Sequence, residues 1–222
     1  MTLGAVLFDM DGTLVDTEKL WDVALRELAA QLGGVLSEAG RAATIGTSSV
    51  QTMEIFRADL GRPDLDPVEG NAFLYARMAE LYAIGMPWRP GARELIDLVR
   101  AAGVPTALVT NTARPLVDVA LRSLDKSRFD AVVCGDEVAR TKPHPDPYLT
   151  AAAALGVSPA RCVAIEDSPT GLASARAAGC RVLAIPNDLP LVDGDLVGAT
   201  VRSSLLDVDV ALLRRLVSAA PV

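Results

Sequence analysis

The spacing of apolar residues changes character after the first sixteen positions. Residues 5–8 (Ala5, Val6, Leu7, Phe8) form a short unbroken apolar run, the pattern of a strand buried on both faces of a parallel sheet. From 17 to 32 the period becomes helical, with Leu20, Trp21, Ala24, Leu25, Leu28 and Leu32 on one stripe. Asp16 or Thr17 would cap that helix, Glu18 falls in its first turn, and Gly33-Gly34 stops it. Further helices are expected over 38–44, 49–60 and 68–83, separated by Gly46 and by Arg62-Pro63-Asp64. No further strand is expected before residue 104, so 17–86 reads as a small helical unit.

From Arg89-Pro90-Gly91 onward the pattern alternates regularly. Strands are expected over 105–110, 131–134, 162–165 and 182–185, each preceded by a helix, over 92–102, 115–124, 147–155 and 171–178. A last short strand at 200–201 precedes a C-terminal helix. Repeated strand–helix units predict an α/β fold, a doubly wound parallel sheet with helices on both faces. The opening strand belongs with this sheet. The expected organisation is therefore a sheet domain of residues 1–16 and 87–222, with the helical unit 17–86 inserted after the first strand.

Composition narrows the function classes. Half of the residues are apolar and 4% are aromatic, so the core must be built from Ala, Leu and Val. The net charge of −7, with no basic run, argues against nucleic acid and anionic membrane surfaces as partners. No apolar stretch approaches the roughly 18 residues of a membrane span. The amino-terminal residues pass directly into a strand without a cationic lead, so no signal peptide is expected. Cys134, Cys162 and Cys180 are widely spaced, odd in number and set in apolar runs, which favours buried thiols over disulfides or a metal site. A cytoplasmic protein is expected.

Four polar stretches interrupt this apolar pattern, three of them at strand ends. Asp9 and Asp11 follow the first strand at i, i+2, a spacing that starts both side chains on one side, and Gly12 lets the chain turn away. An acidic turn would account for one Asp and the glycine, but not for a buried strand that delivers two carboxylates to one point. Thr110-Asn111-Thr112 closes the second strand beside a helix start, where free N–H groups make a phosphate seat. Thr112 itself is read as the cap of that helix. Thr141-Lys142-Pro143-His144-Pro145-Asp146-Pro147 fixes a lysine in a loop stiffened by prolines. His144, the chain's single histidine, is read as a loop residue and not a general base. Glu166-Asp167 ends the fourth strand, ahead of Ser168-Pro169.

Taken in order, these stretches resemble the four motifs of the haloacid dehalogenase superfamily. Asp9-Met10-Asp11-Gly12-Thr13 resembles the first, Thr110 stands at the second, Lys142-Pro143-His144-Pro145 resembles the third, and Glu166-Asp167 the fourth. The run from Gly171 to Gly179 is similar to the subgroup of β-phosphoglucomutase and small sugar-phosphate phosphatases. The resemblance implies a Rossmann-like core with a helical cap, and a magnesium-dependent phosphatase acting on a small phosphomonoester through an aspartyl phosphate. It implies Asp9 as nucleophile, Asp11 as acid and base, and Thr110, Asn111 and Lys142 around the phosphoryl group. Asp9, Asp11 (through its carbonyl), Glu166 and Asp167 would hold the ion. Electrostatics agrees: like charges about 4 Å apart repel by about 4 kcal/mol at an effective dielectric near 20, and an all-oxygen set selects a hard cation such as magnesium.

The insertion would read the leaving group, with Thr17, Glu18, Trp21 and residues from Gly46 to Ser49 as candidates; Trp21 serves equally well as cap core. The expected partner is a small phosphorylated metabolite, and a monomer suits a mobile cap. A sugar phosphomutase of the β-phosphoglucomutase type is the nearest alternative. Trp21 and Ser49 stand where that enzyme has a histidine and a phosphate-binding arginine, which disfavours it. Asp11 disfavours dehalogenases and phosphonatases. A receiver-type signalling domain uses similar groups, but in the opposite chain order and without a cap.

Overall fold

The computed structural model describes residues 2–187 and 191–218. Six parallel strands form one sheet: β1 (Ala5–Phe8), β2 (Thr106–Val109), β3 (Ala131–Val133), β4 (Cys162–Glu166), β5 (Arg181–Ala184) and β6 (Ala199–Val201), in the order β3-β2-β1-β4-β5-β6. The chain builds outward from β1 in one direction, then returns to β1's other side and builds the opposite way. In such sheets the strands beside the reversal leave a crevice at their carboxyl ends. Register places those ends level, because Phe8 lies opposite both Leu108 and Ile165.

Alternation within the strands separates two apolar layers. Val6, Phe8, Leu108, Val163, Ile165 and Leu183 face one way, beneath α5 (Ala92–Ala101), α6 (Arg114–Leu124) and α9 (Val210–Ser218). Ala5, Leu7, Ala107, Val109, Ala164 and Val182 face the other, beneath α7 (Asp146–Ala154) and α8 (Pro169–Ala177). This is the doubly wound arrangement that the apolar pattern predicts. Cys134, Cys162 and Cys180 are free, buried thiols.

Between β1 and α5 the chain forms α1 (Glu18–Gln31), α2 (Glu38–Thr44), α3 (Ser49–Asp59) and α4 (Pro67–Ile84), within one or two residues of the expected bounds. Leu25, Leu28, Met53, Phe56, Leu74 and Met78 are buried among them. The two segments joining these helices to the sheet run side by side. Asp16 N–H donates to the Pro87 carbonyl at 2.9 Å, and Arg89 N–H to the Leu14 carbonyl at 2.8 Å. Among the described residues, no helix is long and apolar enough to cross a membrane.

Local chemistry sets the helix starts near the crevice. Proline at the first helical position gives up an N–H that would have no partner there, so α8 begins at Pro169 instead of Gly171; Ser168 caps it by accepting from Gly171 N–H. Two caps expected from the sequence are not made by the side chains. Thr17 occupies the N-cap position of α1 but its hydroxyl makes no capping bond, and α6 is preceded by Ala113, not capped by Thr112. Both hydroxyls are used elsewhere.

Candidate active site

Asp9 leaves the end of β1 and is 6% exposed. Its Oδ1 accepts from Lys142 Nζ at 2.7 Å, while its Oδ2 is buried and has no hydrogen-bond partner among the described residues. Lys142 Nζ also donates to Glu166 Oε1 at 2.6 Å and to the Val109 carbonyl at 2.8 Å, and it lies 5.2 Å from the centre of the Tyr148 ring. Residues from β1, β2, β4, α7 and one loop therefore meet on a single ammonium. Asn111 braces that loop: its Oδ1 accepts Lys142 N–H at 3.0 Å and its Nδ2 donates to the Lys142 carbonyl at 3.4 Å.

Glu166 is fully buried. Its Oε1 also accepts from Tyr148 Oη at 2.6 Å, and its Oε2 from Ser168 Oγ at 3.3 Å. Gly171 makes this seat possible, since a Cβ there would lie 2.0 Å from the Glu166 carboxylate. Asp167 accepts from Thr13 Oγ1 at 3.2 Å. Gly12, with φ of +86°, passes so close that a Cβ would stand 2.1 Å from Asp167 Oδ2. These two glycines are required by close approach, and at Gly12 by backbone sign as well.

Asp9, Glu166 and Asp167 each offer an oxygen within 4.8 Å of the others, and all three are buried. Burial, then repulsion from Glu166, pushes the Asp9 carboxyl up to about 7 despite Lys142. Burial, followed by Asp9 and Glu166, holds Asp167 well above the usual carboxylate range. Lys142 is raised in turn: burial opposes its charge, but Asp9 and Glu166 more than offset that. One ammonium does not satisfy three buried carboxylates, and among the described residues Asp9 Oδ2 is an orphaned acceptor. The chemistry of this donor set fits a hard divalent cation.

Asp11 sits outside that cluster. Its Oδ1 accepts from Thr17 Oγ1 at 2.6 Å and Tyr82 Oη at 3.1 Å; its Oδ2 accepts from Thr112 Oγ1 at 2.8 Å and Thr110 Oγ1 at 3.3 Å. Two donors come from the helical insertion and two from the end of β2. A cavity opens over Asp9 and Asp11, lined on the sheet side by Thr110, Asn111, Thr112 and Lys142. From the insertion it receives Glu18, Trp21, Gly46 and Thr47, among others. Glu18, raised by burial, accepts from Arg41 at 2.8 Å. Thr17 is buried beneath, against Asp11, and Thr170 Oγ1 donates to the Gly46 carbonyl at 2.9 Å. His144 is exposed and lies outside the cavity lining.

The sequence pattern does not single out Tyr82 or Tyr148. Both are apolar-stripe residues of their helices and both are buried to 1% or less, so their rings read as core. A buried tyrosine hydroxyl must find a partner, and that requirement is the available signal.

A family model for haloacid dehalogenase-like hydrolases matches residues 3–179. The Rhodobacter capsulatus protein CbbY is 38% identical over 198 residues, covering 85% of this chain and 87% of that protein. Hexitol phosphatase B of Escherichia coli K12 is 32% identical over 204 residues, covering 91% and 92%. Among solved structures, a mutant CbbY from Rhodobacter sphaeroides in complex with xylulose-(1,5)bisphosphate superposes with a TM-score of 0.85 at 30% identity, over 96% of this chain and 99% of that one.

Proposed function

The chain belongs to the haloacid dehalogenase-like hydrolases and is a phosphomonoester hydrolase, and from that premise we propose that Asp9 is the nucleophile that accepts the phosphoryl group of a small phosphorylated sugar or polyol. The observation that carries this reading is the asymmetry of Asp9. One oxygen is pinned by Lys142 at 2.7 Å and the other is buried with no partner among the described residues, in a residue that lines the cavity. A carboxylate fixed at one oxygen presents the second in a defined direction, as in-line attack on phosphorus requires.

Attack by Asp9 forms an aspartyl phosphate and releases the substrate's alkoxide. Asp11 is the acid that protonates this leaving group and the base that then takes a proton from the hydrolytic water. Its four hydroxyl partners fix the carboxylate between insertion and sheet, which supports a group that must meet a leaving oxygen within hydrogen-bond reach. Lys142 offsets charge on the nucleophile and the phosphoryl oxygens. Thr110, buried at the end of β2, completes the phosphate seat. Asn111 acts through the Lys142 backbone. Asp9 and Asp167, with the Asp11 carbonyl and with Glu166 behind them, would hold magnesium, which when bound neutralises charge on the transferring group. Helices α1–α4 act as the cap, hinged at the paired segments 14–16 and 87–89 and bringing Glu18, Trp21 and Gly46 to the leaving group.

The test is a screen of small phosphomonoesters on the purified chain, with magnesium or with EDTA, alongside Asp9→Asn. Release of phosphate in magnesium is expected. It should fall by about 10³-fold or more in the variant while circular dichroism is unchanged. A variant with substantial residual turnover overturns the assignment of Asp9.

A further inference from the structure

The charge of the cavity lining bears on the leaving group. On the insertion side the polar atoms are neutral hydroxyls and an amide, from Thr47, Ser49, Thr52 and Asn71, beside the rings of Trp21 and Tyr75. Among the described residues, no lysine or arginine of the insertion lines this cavity, and its one charged contribution is Glu18. Lys142 reaches the cavity from the sheet side, with its ammonium held by Asp9, Glu166 and the Val109 carbonyl.

Arg41 pairs with Glu18 of this lining but does not itself line the cavity. Its Nη2 donates to both the Glu18 carbonyl and Glu18 Oε2 at 2.8 Å, its Nη1 to Thr44 Oγ1 at 3.2 Å, and its Nε lies 3.2 Å from Asp22 Oδ1. It borders an adjoining opening that shares Glu18 with this cavity and also takes in Lys19, Asp22, Asp167 and Asn187. A distal anion on a substrate would have to draw Arg41 away from two carboxylates, in a site that already gathers Asp9, Asp11 and Glu18.

We propose that the leaving group is uncharged and rich in hydroxyls, the monophosphate of a neutral sugar or polyol, and that the cap rejects substrates carrying a second phosphate or a carboxylate. The inference rests on the phosphatase reading above and refines it. Neutral donors and acceptors can pair with substrate hydroxyls, and a buried polar lining penalises any ligand that leaves its groups unpaired. A second anion meets Glu18, whose Arg41 partner is shared with Asp22, and among the described residues no lysine or arginine of the insertion lines the cavity to offset the repulsion.

The experiment compares kcat/KM of the full chain in magnesium for sorbitol 6-phosphate, glucose 6-phosphate, fructose 1,6-bisphosphate and 2-phosphoglycolate, with p-nitrophenyl phosphate as a reporter of the chemical step. The better neutral substrate should exceed both anionic ones by about 100-fold or more. Turnover of p-nitrophenyl phosphate, with the bisphosphate or phosphoglycolate equal to or better than the neutral pair, overturns the inference and leaves the phosphatase reading standing. No magnesium-dependent turnover of any of the five removes both. Ser49→Arg places a cation in the lining at a half-buried helix start. It should narrow the neutral-to-bisphosphate ratio by about tenfold. An unchanged ratio in that variant, folded by circular dichroism, rules out charge as the basis of selection.

Discussion

Lys142 shows how one residue can hold a site together. It is 3% exposed, yet it is charged, because Asp9 and Glu166 lie within 2.7 Å of its nitrogen. Lys142→Met removes the cation and leaves two carboxylates facing each other in the interior. Breaking a buried pair in this way destabilises by about 3–5 kcal/mol, so urea unfolding in EDTA should show a loss of that size, with phosphatase activity abolished. Lys142→Arg should not restore activity, since a planar guanidinium does not fit a seat formed by two carboxylates, a carbonyl and an aromatic face. Gly171→Ala tests the same seat from behind. Its Cβ would overlap the Glu166 carboxylate at 2.0 Å, so a loss of both activity and stability is expected, measured by the same assays. Asp9, Glu166 and Asp167 were legible because charged residues at the ends of apolar strands have no ordinary reason to be there, and Lys142 because a surface lysine does not need a loop stiffened by prolines. Thr112 was misread for the opposite reason. A hydroxyl before a helix has an ordinary reason to be there, and the sequence does not reveal that Asp11 lies 2.8 Å away.

At the scale of elements, the strand and helix pattern was legible almost to the residue, since β1, β2 and β4 are buried along their full lengths and the flanking helices keep one apolar stripe. What the pattern could not convey was contact between elements distant in sequence. Tyr82 lies near the end of α4, 71 positions from the Asp11 to which its hydroxyl donates. With Thr17 ahead of α1 it forms the insertion's grip on Asp11, opposite Thr110 and Thr112 at the end of β2. Tyr82→Phe keeps the buried ring and deletes one of these four donors. The expected result is a fall in kcat of about 3- to 30-fold with KM little changed, because the acid-base group loses orientation and the substrate loses no contact. Stability should change by about 1 kcal/mol or less. A variant with wild-type kcat would show that the tyrosine hydroxyl has no part in positioning Asp11.

For the whole molecule, the acidic cluster makes folding, pH and metal one coupled equilibrium. Burial raises the Asp9 carboxyl from 3.8 to about 7, and burial also holds Asp167 well above the usual carboxylate range. Between those values the folded chain binds protons that the unfolded chain has already released. Stability from these groups is therefore complete below about pH 4 and declines as the pH rises through 7. A divalent cation binds the deprotonated cluster and has no such site in the unfolded chain, so it reverses the trend. Thermal melts near pH 5 and near pH 8, each in EDTA and in millimolar magnesium, separate the two effects. Magnesium should raise the melting temperature by about 5 °C or more near pH 8 and by much less near pH 5, where protons compete for the same oxygens. In Asp9→Asn one titrating ligand is gone, so the magnesium effect should shrink near pH 8 and lose much of its dependence on pH. An equal stabilisation at both pH values would mean that the ion binds somewhere other than Asp9, Glu166 and Asp167. The electrostatic strain in the cluster would then need another source of relief, because Lys142 alone carries one positive charge against three buried carboxyls.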